Sequence, residues 1–412
     1  MEYNNLSMWI KERDSMKFSS KIERCELSPM RKYAPYANAA RARGMRIFPL
    51  NIGQPDIETP TEFFDAVRNF STPVLEYAPS DGVAEYLEAV RDYYHRIGHT
   101  DLTTANILAT NGGSEALWMT MSTILDDGDE IIVPEPYYPN YSTFVTLAGG
   151  KTCPIPTTAE EGYHYANREK IEALINEHTR AIMITNPGNP TGAVLTREEM
   201  KMLAGLAHEH NLFLVADEVY RDFSYDGEQM ASMLEFPEAA ENVIVIDSVS
   251  KRFSACGARI GAVISRNAEF LSEAMKVCQG RLCCPTLDQV GAAALYGVGS
   301  EYFAAVKDEY RRRRDTAYEM LMQIPGVVCR KPEGAFYLMA KLPVDSTDAF
   351  QIWMLEHFSA SGDTVMITPG EGFYTTPGKG VNEARLAYVL KHDDLVRAMR
   401  VLAEAIEAYN NR

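Results

Sequence analysis

The sequence predicts an α/β fold with a mostly parallel sheet, joined to a smaller α+β domain. From about Arg46 to Ser265, short β-rich runs alternate with longer helical patterns, as expected when parallel strands are linked by crossover helices. The chain has 412 residues, too many for one simple core, so two domains are expected. After Pro285 the pattern becomes helical, then returns to helix and short strand near the C-terminus. The expected division places residues 46–312 in the large domain. Residues 1–45 and 313–412 form the small one.

The strand candidates are RIFPLNI (46–52), ILAT (107–110), EIIV (130–133), KTCPI (151–155), AIMIT (181–185), LFLVA (212–216), VIVI (243–246) and AVIS (262–265). Asn111-Gly112-Gly113-Ser114 joins ILAT to an apolar helical pattern that begins Glu115-Ala116-Leu117. A Gly-rich turn at a helix N-terminus offers backbone N–H groups and the positive end of the helix dipole to a phosphate. Thr196–His210 repeats Leu and Met at three to four residues, which predicts a helix. Ser300 to about Gln323 reads as one long helix containing Arg311–Arg314. Set among many acids, that arginine run suits an ion-pairing face better than a nucleic-acid patch. A last helical pattern covers His392–Tyr409.

Composition narrows the function classes. With 46% hydrophobic and 24% charged residues, the chain reads as an ordinary globular protein. Forty basic against 57 acidic residues give a formal charge of −17, which disfavours nucleic acid or an anionic membrane surface as partner. The N-terminal MEYNNLSMWIKERD lacks a basic segment followed by an apolar core, so no signal peptide is expected. No apolar run approaches the ~18 residues of a membrane span. Seven cysteines at irregular spacing argue against a disulfide framework and for a reducing cytoplasm. The adjacent Cys283 and Cys284 read as small buried hydrophobes rather than a redox pair. The eight histidines form no ligand set: His208 and His210 flank Glu209 on a solvated helix end, and His95 and His99 lack an HExxH context. No metal is expected.

The most informative segment is Ser248-Val249-Ser250-Lys251, followed eight residues later by Arg259. Lys251 stands just past a buried strand, among small hydroxyls and near an arginine. That setting suits an anionic aldehyde cofactor, with the amine forming a Schiff base and Ser248 and Arg259 holding a phosphate. Upstream, Asn189-Pro190-Thr191-Gly192 follows one strand candidate, Asp217 ends another, and Tyr220 comes three residues later.

Gly-rich turn, NPTG, Asp…Tyr and SxSK…R, in this order, resemble the class I/II aminotransferases. These are fold-type I pyridoxal 5′-phosphate enzymes, and the resemblance runs from about Asn51 to Arg385. It implies a large domain with a seven-stranded, mostly parallel sheet covered by helices on both faces. It implies Lys251 as the cofactor-bearing residue and general base, and Asp217 as the carboxylate that keeps the ring nitrogen protonated. Asn189 and Tyr220 would hydrogen-bond the ring 3′-oxygen, and Tyr138 would stack on the ring. Gly113, Ser114, Ser248 and Arg259 would hold the phosphate, with Tyr77 reaching it from the neighbouring subunit of a homodimer. Arg385 would take the substrate carboxylate, aided by the Gly53 N–H, with Phe336 walling the pocket. Arg281 falls where a second, side-chain-carboxylate arginine is often found, and an ordinary surface arginine is the alternative.

The expected reaction transfers an amino group between an L-amino acid, aspartate foremost, and 2-oxoglutarate by ping-pong steps. Two alternatives stay open: an aromatic or neutral donor in a pocket lined by Tyr137, Tyr138, Tyr141 and Phe336, and a carbon–sulfur β-lyase on the same fold. Two departures from the usual pattern, Tyr86-Leu87 and Cys283-Cys284, fall near the expected substrate pocket or subunit contact. Gly149-Gly150-Lys151-Thr152 mimics a Walker A loop, but that motif needs glycine at Val145, and CPIP after Thr152 cannot open its helix. A transcription regulator on this fold would carry an N-terminal DNA-binding domain, for which residues 1–45 are too few. A purely binding protein would not need Lys251, Asp217 and Arg385 together.

Overall fold

The computed structural model describes residues 17–226 and 230–412. The N-terminal MEYNNLSMWIKERD lies outside them. Among the described residues twelve strands follow one another: β1 (Arg46–Pro49), β2 (Ile107–Thr110), β3 (Glu130–Pro134), β4 (Lys151–Ile155), β5 (Thr179–Thr185), β6 (Phe213–Asp217), β7 (Val243–Ser248), β8 (Gly261–Ser265), β9 (Tyr337–Lys341), β10 (Asp363–Met366), β11 (Thr368–Pro369) and β12 (Glu383–Ala387). Seven of them form one sheet in the order β2-β8-β7-β6-β5-β3-β4. β8 alone runs antiparallel to its neighbours. The link from β7 to β8, residues 249–260, holds the Lys251 turn rather than a long crossover helix, so the chain comes back antiparallel.

β6 and β7 are buried along nearly their whole length, which is why their sequences read as continuous apolar runs rather than alternating ones. Two apolar clusters pack around the sheet. One includes Ile184, Leu214 and Val245; the other includes Met183, Val215 and Ile246. Successive residues of one strand thus fall in different clusters, as the pleat dictates. The helix Arg197–Glu209 starts from a capping box in which Thr196 and Glu199 exchange side-chain and backbone bonds.

RIFPLNI departs from expectation. Its strand β1 lies outside the seven-stranded sheet and pairs in parallel with β10. Only Phe48 is fully buried within it, and Phe48 and Leu50 join Leu338, Leu386 and Val365 in a separate core. One covered face suits a small peripheral sheet, not a strand buried on both sides. The remaining strands form the antiparallel sheet β11-β12-β9.

The helix Ser300–Leu321 runs unbroken through residue 312. All four arginines inside it pair with acids, but only two do so at the surface. Arg311 meets Asp308 at 2.8 Å and Arg312 meets Glu309 at 2.7 Å. Arg313, bound to Asp56 and Glu309, and Arg314, bound to Asp226 and Asp315, are buried.

Candidate active site

The carboxyl ends of β2, β5, β6 and β7 share one edge of the sheet, where ligands of open α/β sheets bind. Thr110, Thr185, Asp217 and Ser248 close these strands. After β2, Gly112 adopts φ +78° and lets the chain enter the helix Gly113–Ile124. A Cβ on Gly112 would stand 2.6 Å from an Arg259 guanidinium nitrogen, so only glycine allows that approach. Arg259 itself holds a left-handed backbone at φ +53°, a strained state for a non-glycine residue and one that concentrates at binding sites. Its side chain is exposed and donates to the carbonyls of Cys256 (3.0 Å) and Asn111 (3.4 Å). A cation thus faces a helix start whose first N–H groups have no intrahelical acceptor. Ser248 is buried, and its hydroxyl caps the next turn by accepting from the Ser250 N–H at 3.1 Å.

Asp217 sits at the centre of the edge. Its carboxylate accepts from the Tyr141 hydroxyl at 2.5 Å and from the Val219 N–H at 3.3 Å. Burial pushes its pKa up to about 6, against the lowering effect of those two bonds, and the Asp247 and Glu218 charges add to the rise. No cation adjoins it among the described residues, whereas each neighbouring buried acid has one. Glu218 pairs with Arg221, and Asp247 meets Arg252 at 3.0 Å. Arg252 also reaches Asp222, while Tyr94 bonds both Asp247 and Arg221.

Lys251 projects from the short turn after β7, and its Nζ donates to the Gly53 carbonyl at 2.8 Å. Cys256 Sγ lies 3.9 Å from the same nitrogen. Arg385, the third residue of β12, donates to Asn189 Oδ1 and to the Asn51 carbonyl, each at 2.9 Å. Its guanidinium lies 4.4 Å from the Tyr337 ring centre and 5.1 Å from that of Phe373. Tyr337 exchanges a hydroxyl bond of 2.9 Å with Tyr220. A Cβ on Gly53 would overlap the Tyr337 hydroxyl, so this glycine is fixed by close approach. The backbone at 51–53 therefore accepts from both the Lys251 amine and the Arg385 guanidinium.

The family model for aminotransferase class I and II matches residues 45–402. The chain belongs to this family. The aminotransferase chain is 32% identical over 406 residues to an aspartate aminotransferase of Bacillus subtilis (strain 168), covering 96% of this chain and 100% of the relative. It is 30% identical to a probable aspartate/prephenate aminotransferase of Aquifex aeolicus, over 94% of this chain and 98% of that one. A Thermus thermophilus aspartate aminotransferase solved with maleate superposes with a TM-score of 0.85 at 28% identity, covering 95% of this chain and 100% of the other. Aminotransferases of this family depend in general on pyridoxal phosphate. The residues fit that group: Asp217 is a buried carboxylate lacking a cation, and Arg259 faces a glycine-opened helix start.

Hydrogen bonds link Lys251 to Gly53 and Arg385 to Asn189, and Tyr220 bonds Tyr337, whose hydroxyl lies against Gly53. Gly113 packs against Ser248 and Gly112 against Arg259, Ser114 lies in the first turn of the helix Gly113–Ile124, and the half-buried Tyr138 packs edge-on to Tyr141. Several expectations change. Phe336 is fully buried with its ring against Tyr220, Phe223 and Tyr310, so it backs the site, and Tyr337 takes the position beside Gly53. Tyr141 is buried, with its hydroxyl bound to Asp217 and Thr185. Tyr137 is likewise buried, bonded to Ser142 and Thr152. Arg281 is not a free clamp, because it meets Glu115 of the same chain at 2.7 Å.

Tyr86 is fully buried and donates to the Gly261 carbonyl at 3.0 Å. Tyr86-Leu87 is therefore core. All seven cysteines are free; Cys284 is buried, and Cys283 is half-buried. Tyr77 is 82% exposed. The structure brings His210 beside Glu172 and Glu209, but Arg168 already pairs with both acids at the surface. The acids and arginines behind the site were missed. A faint signal existed: Glu218, Arg221, Asp247 and Arg252 each adjoin a site residue in sequence.

Proposed function

We propose that this chain binds pyridoxal phosphate and moves an amino group between aspartate and 2-oxoglutarate, as a cytoplasmic homodimer with shared sites. The observation that supports the reading is the 51–53 backbone, whose Gly53 and Asn51 carbonyls accept from Lys251 and Arg385 respectively, tying an amine and a guanidinium to one short segment. When bound, the cofactor supplies an aldehyde that takes up the amino group and a cationic ring that draws electrons from the substrate Cα. Arg385 binds the substrate α-carboxylate through its planar fork. Lys251 would carry the cofactor and serve as the general base that takes the Cα proton and returns it. Asp217 would hold a proton on the ring nitrogen, Asn189 and Tyr220 would hydrogen-bond the ring oxygen, and Tyr138 would cover the ring face. Gly113, Ser114, Ser248 and Arg259 would hold the phosphate, with Tyr77 reaching it from the partner subunit. The division at residues 46–312 for the cofactor-binding domain and 17–45 with 313–412 for the smaller one is bridged by β1, which pairs with β10, and by the helix Ser300–Leu321.

Aspartate is supported by the relatives' names and by the maleate, a dicarboxylate, in the Thermus thermophilus relative. Two observations favour an aromatic or neutral donor instead: Arg281 is bound to Glu115, and aromatic rings flank Arg385. A panel of amino donors with 2-oxoglutarate decides between them. Aspartate should be fastest, with ping-pong kinetics. Tyrosine or phenylalanine outpacing aspartate would overturn the dicarboxylate reading. Ammonia release without an oxo-acid acceptor would point to the β-lyase.

A further inference from the structure

Arg281 is the last residue of the helix Ala268–Arg281, after which Leu282 breaks the chain direction at φ +81°. Its guanidinium gathers three separate segments. Nη1 donates to Glu115 Oε2 at 2.7 Å and to the Ala109 carbonyl at 3.3 Å; Nη2 donates to the Ser80 carbonyl at 2.7 Å. Glu115 in turn accepts from the Asn111 backbone N–H at 2.5 Å and from the Asn111 side-chain amide at 3.1 Å. Asn111 opens the Gly-rich turn, and its carbonyl accepts from Arg259. The Ala109 N–H donates to the Asp81 carbonyl at 2.7 Å, so the segment leading from Tyr77 is fastened to the same place.

An acid in the first helical turn favours the helix. Beside an anion site, however, its charge opposes the anion unless a cation neutralises it. Arg281 neutralises Glu115 and fixes it in the geometry that grips Asn111. We propose that Arg281 and Glu115 are a positioning clamp for the phosphate-binding turn, not part of substrate recognition. The inference rests on the pyridoxal phosphate reading, and its test has one arm that does not.

In the cofactor-free protein, Arg281→Met should speed hydrogen exchange at the Asn111 amide by roughly tenfold, the order expected on weakening a bond to a charged acceptor. In titrations of the cofactor-free protein, the same variant should lose roughly tenfold in affinity for pyridoxal phosphate and little for pyridoxal, which has no phosphate. Adding Glu115→Gln should restore part of that affinity, because the uncompensated charge is gone. In the loaded enzyme, kcat/KM for aspartate and for phenylalanine should fall by the same factor. Unchanged exchange at Asn111, or a loss confined to aspartate, would overturn the clamp. Should Arg281→Met not fold, Glu115→Gln alone carries the exchange measurement, with the same increase expected. Failure of the wild-type protein to bind pyridoxal phosphate would count against the cofactor reading and leave the exchange result to judge the clamp.

Discussion

Asp217 combines full burial, a bond from Tyr141 and no cation within reach among the described residues. Its pKa is raised from 3.8 to about 6, so the cofactor-free fold prefers the protonated form. That preference adds stability below the unfolded value, and the contribution is lost as pH rises through about 6. Two pKa units correspond to roughly 3 kcal/mol. Denaturation of the cofactor-free wild type against Asp217→Asn should therefore show a wild-type stability that declines from pH 4 to pH 7, with the Asn variant flatter. Equal slopes would mean that Asp217 is not perturbed. At Lys251 the expectation is simpler. Lys251→Ala should lose the yellow colour of the loaded enzyme and its turnover, and an alanine variant retaining a borohydride-reducible link to cofactor would remove Lys251 from its role.

The ends of β6 and β7 carry the site on one side of the backbone and a buried ion network on the other. Asp217 and Tyr220 face the site while Glu218 and Arg221 pair behind them; Lys251 faces forward while Arg252 binds Asp247 and Asp222 behind. A buried charge left without its partner costs about 3–5 kcal/mol. Arg252→Met should lower unfolding stability by about that much, since two acids lose their cation at once. A shift in urea midpoint too small to match would show that Asp247 and Asp222 relax toward solvent or take up protons. The turn before the helix Gly113–Ile124 is equally constrained. Gly112→Ala meets both a positive φ and the Arg259 side chain. It should weaken pyridoxal phosphate binding more than it lowers the melting temperature, as a titration beside a melt would show.

For the whole molecule, the exposed segment Val74, Leu75 and Tyr77 is tied by Arg281 to the phosphate turn. In a homodimer with shared sites, Tyr77 of each chain would serve the other's cofactor. Mixing Lys251→Ala chains with Tyr77→Ala chains and refolding them together would then yield hybrids with one intact site, and activity should return. No recovery, or a monomer by sedimentation at assay concentration, would refute shared sites. Among the described residues no helix is long and apolar enough to cross a membrane.

The parallel sheet and the order of its motifs were legible in the sequence because both rest on local signals. Apolar runs of strand length, a glycine pair before a helix and SxSK before Arg259 all lie within short windows. The family resemblance that proposes roles for Lys251, Asp217, Asn189 and Arg385 rests on that order. What sequence alone did not show were the pairings across distance. RIFPLNI looked like any other buried strand, yet its one-sided burial sent β1 to β10, far along the chain. Phe336 and Tyr337 are neighbours in sequence, and only packing decided which ring stands beside Gly53. Arg281 had the right residue type for a substrate clamp, but Glu115, far away in sequence, holds it. Periodicity and turn chemistry act between near neighbours, whereas the partner of a buried charge is chosen by whichever opposite charge the completed fold brings within hydrogen-bond reach.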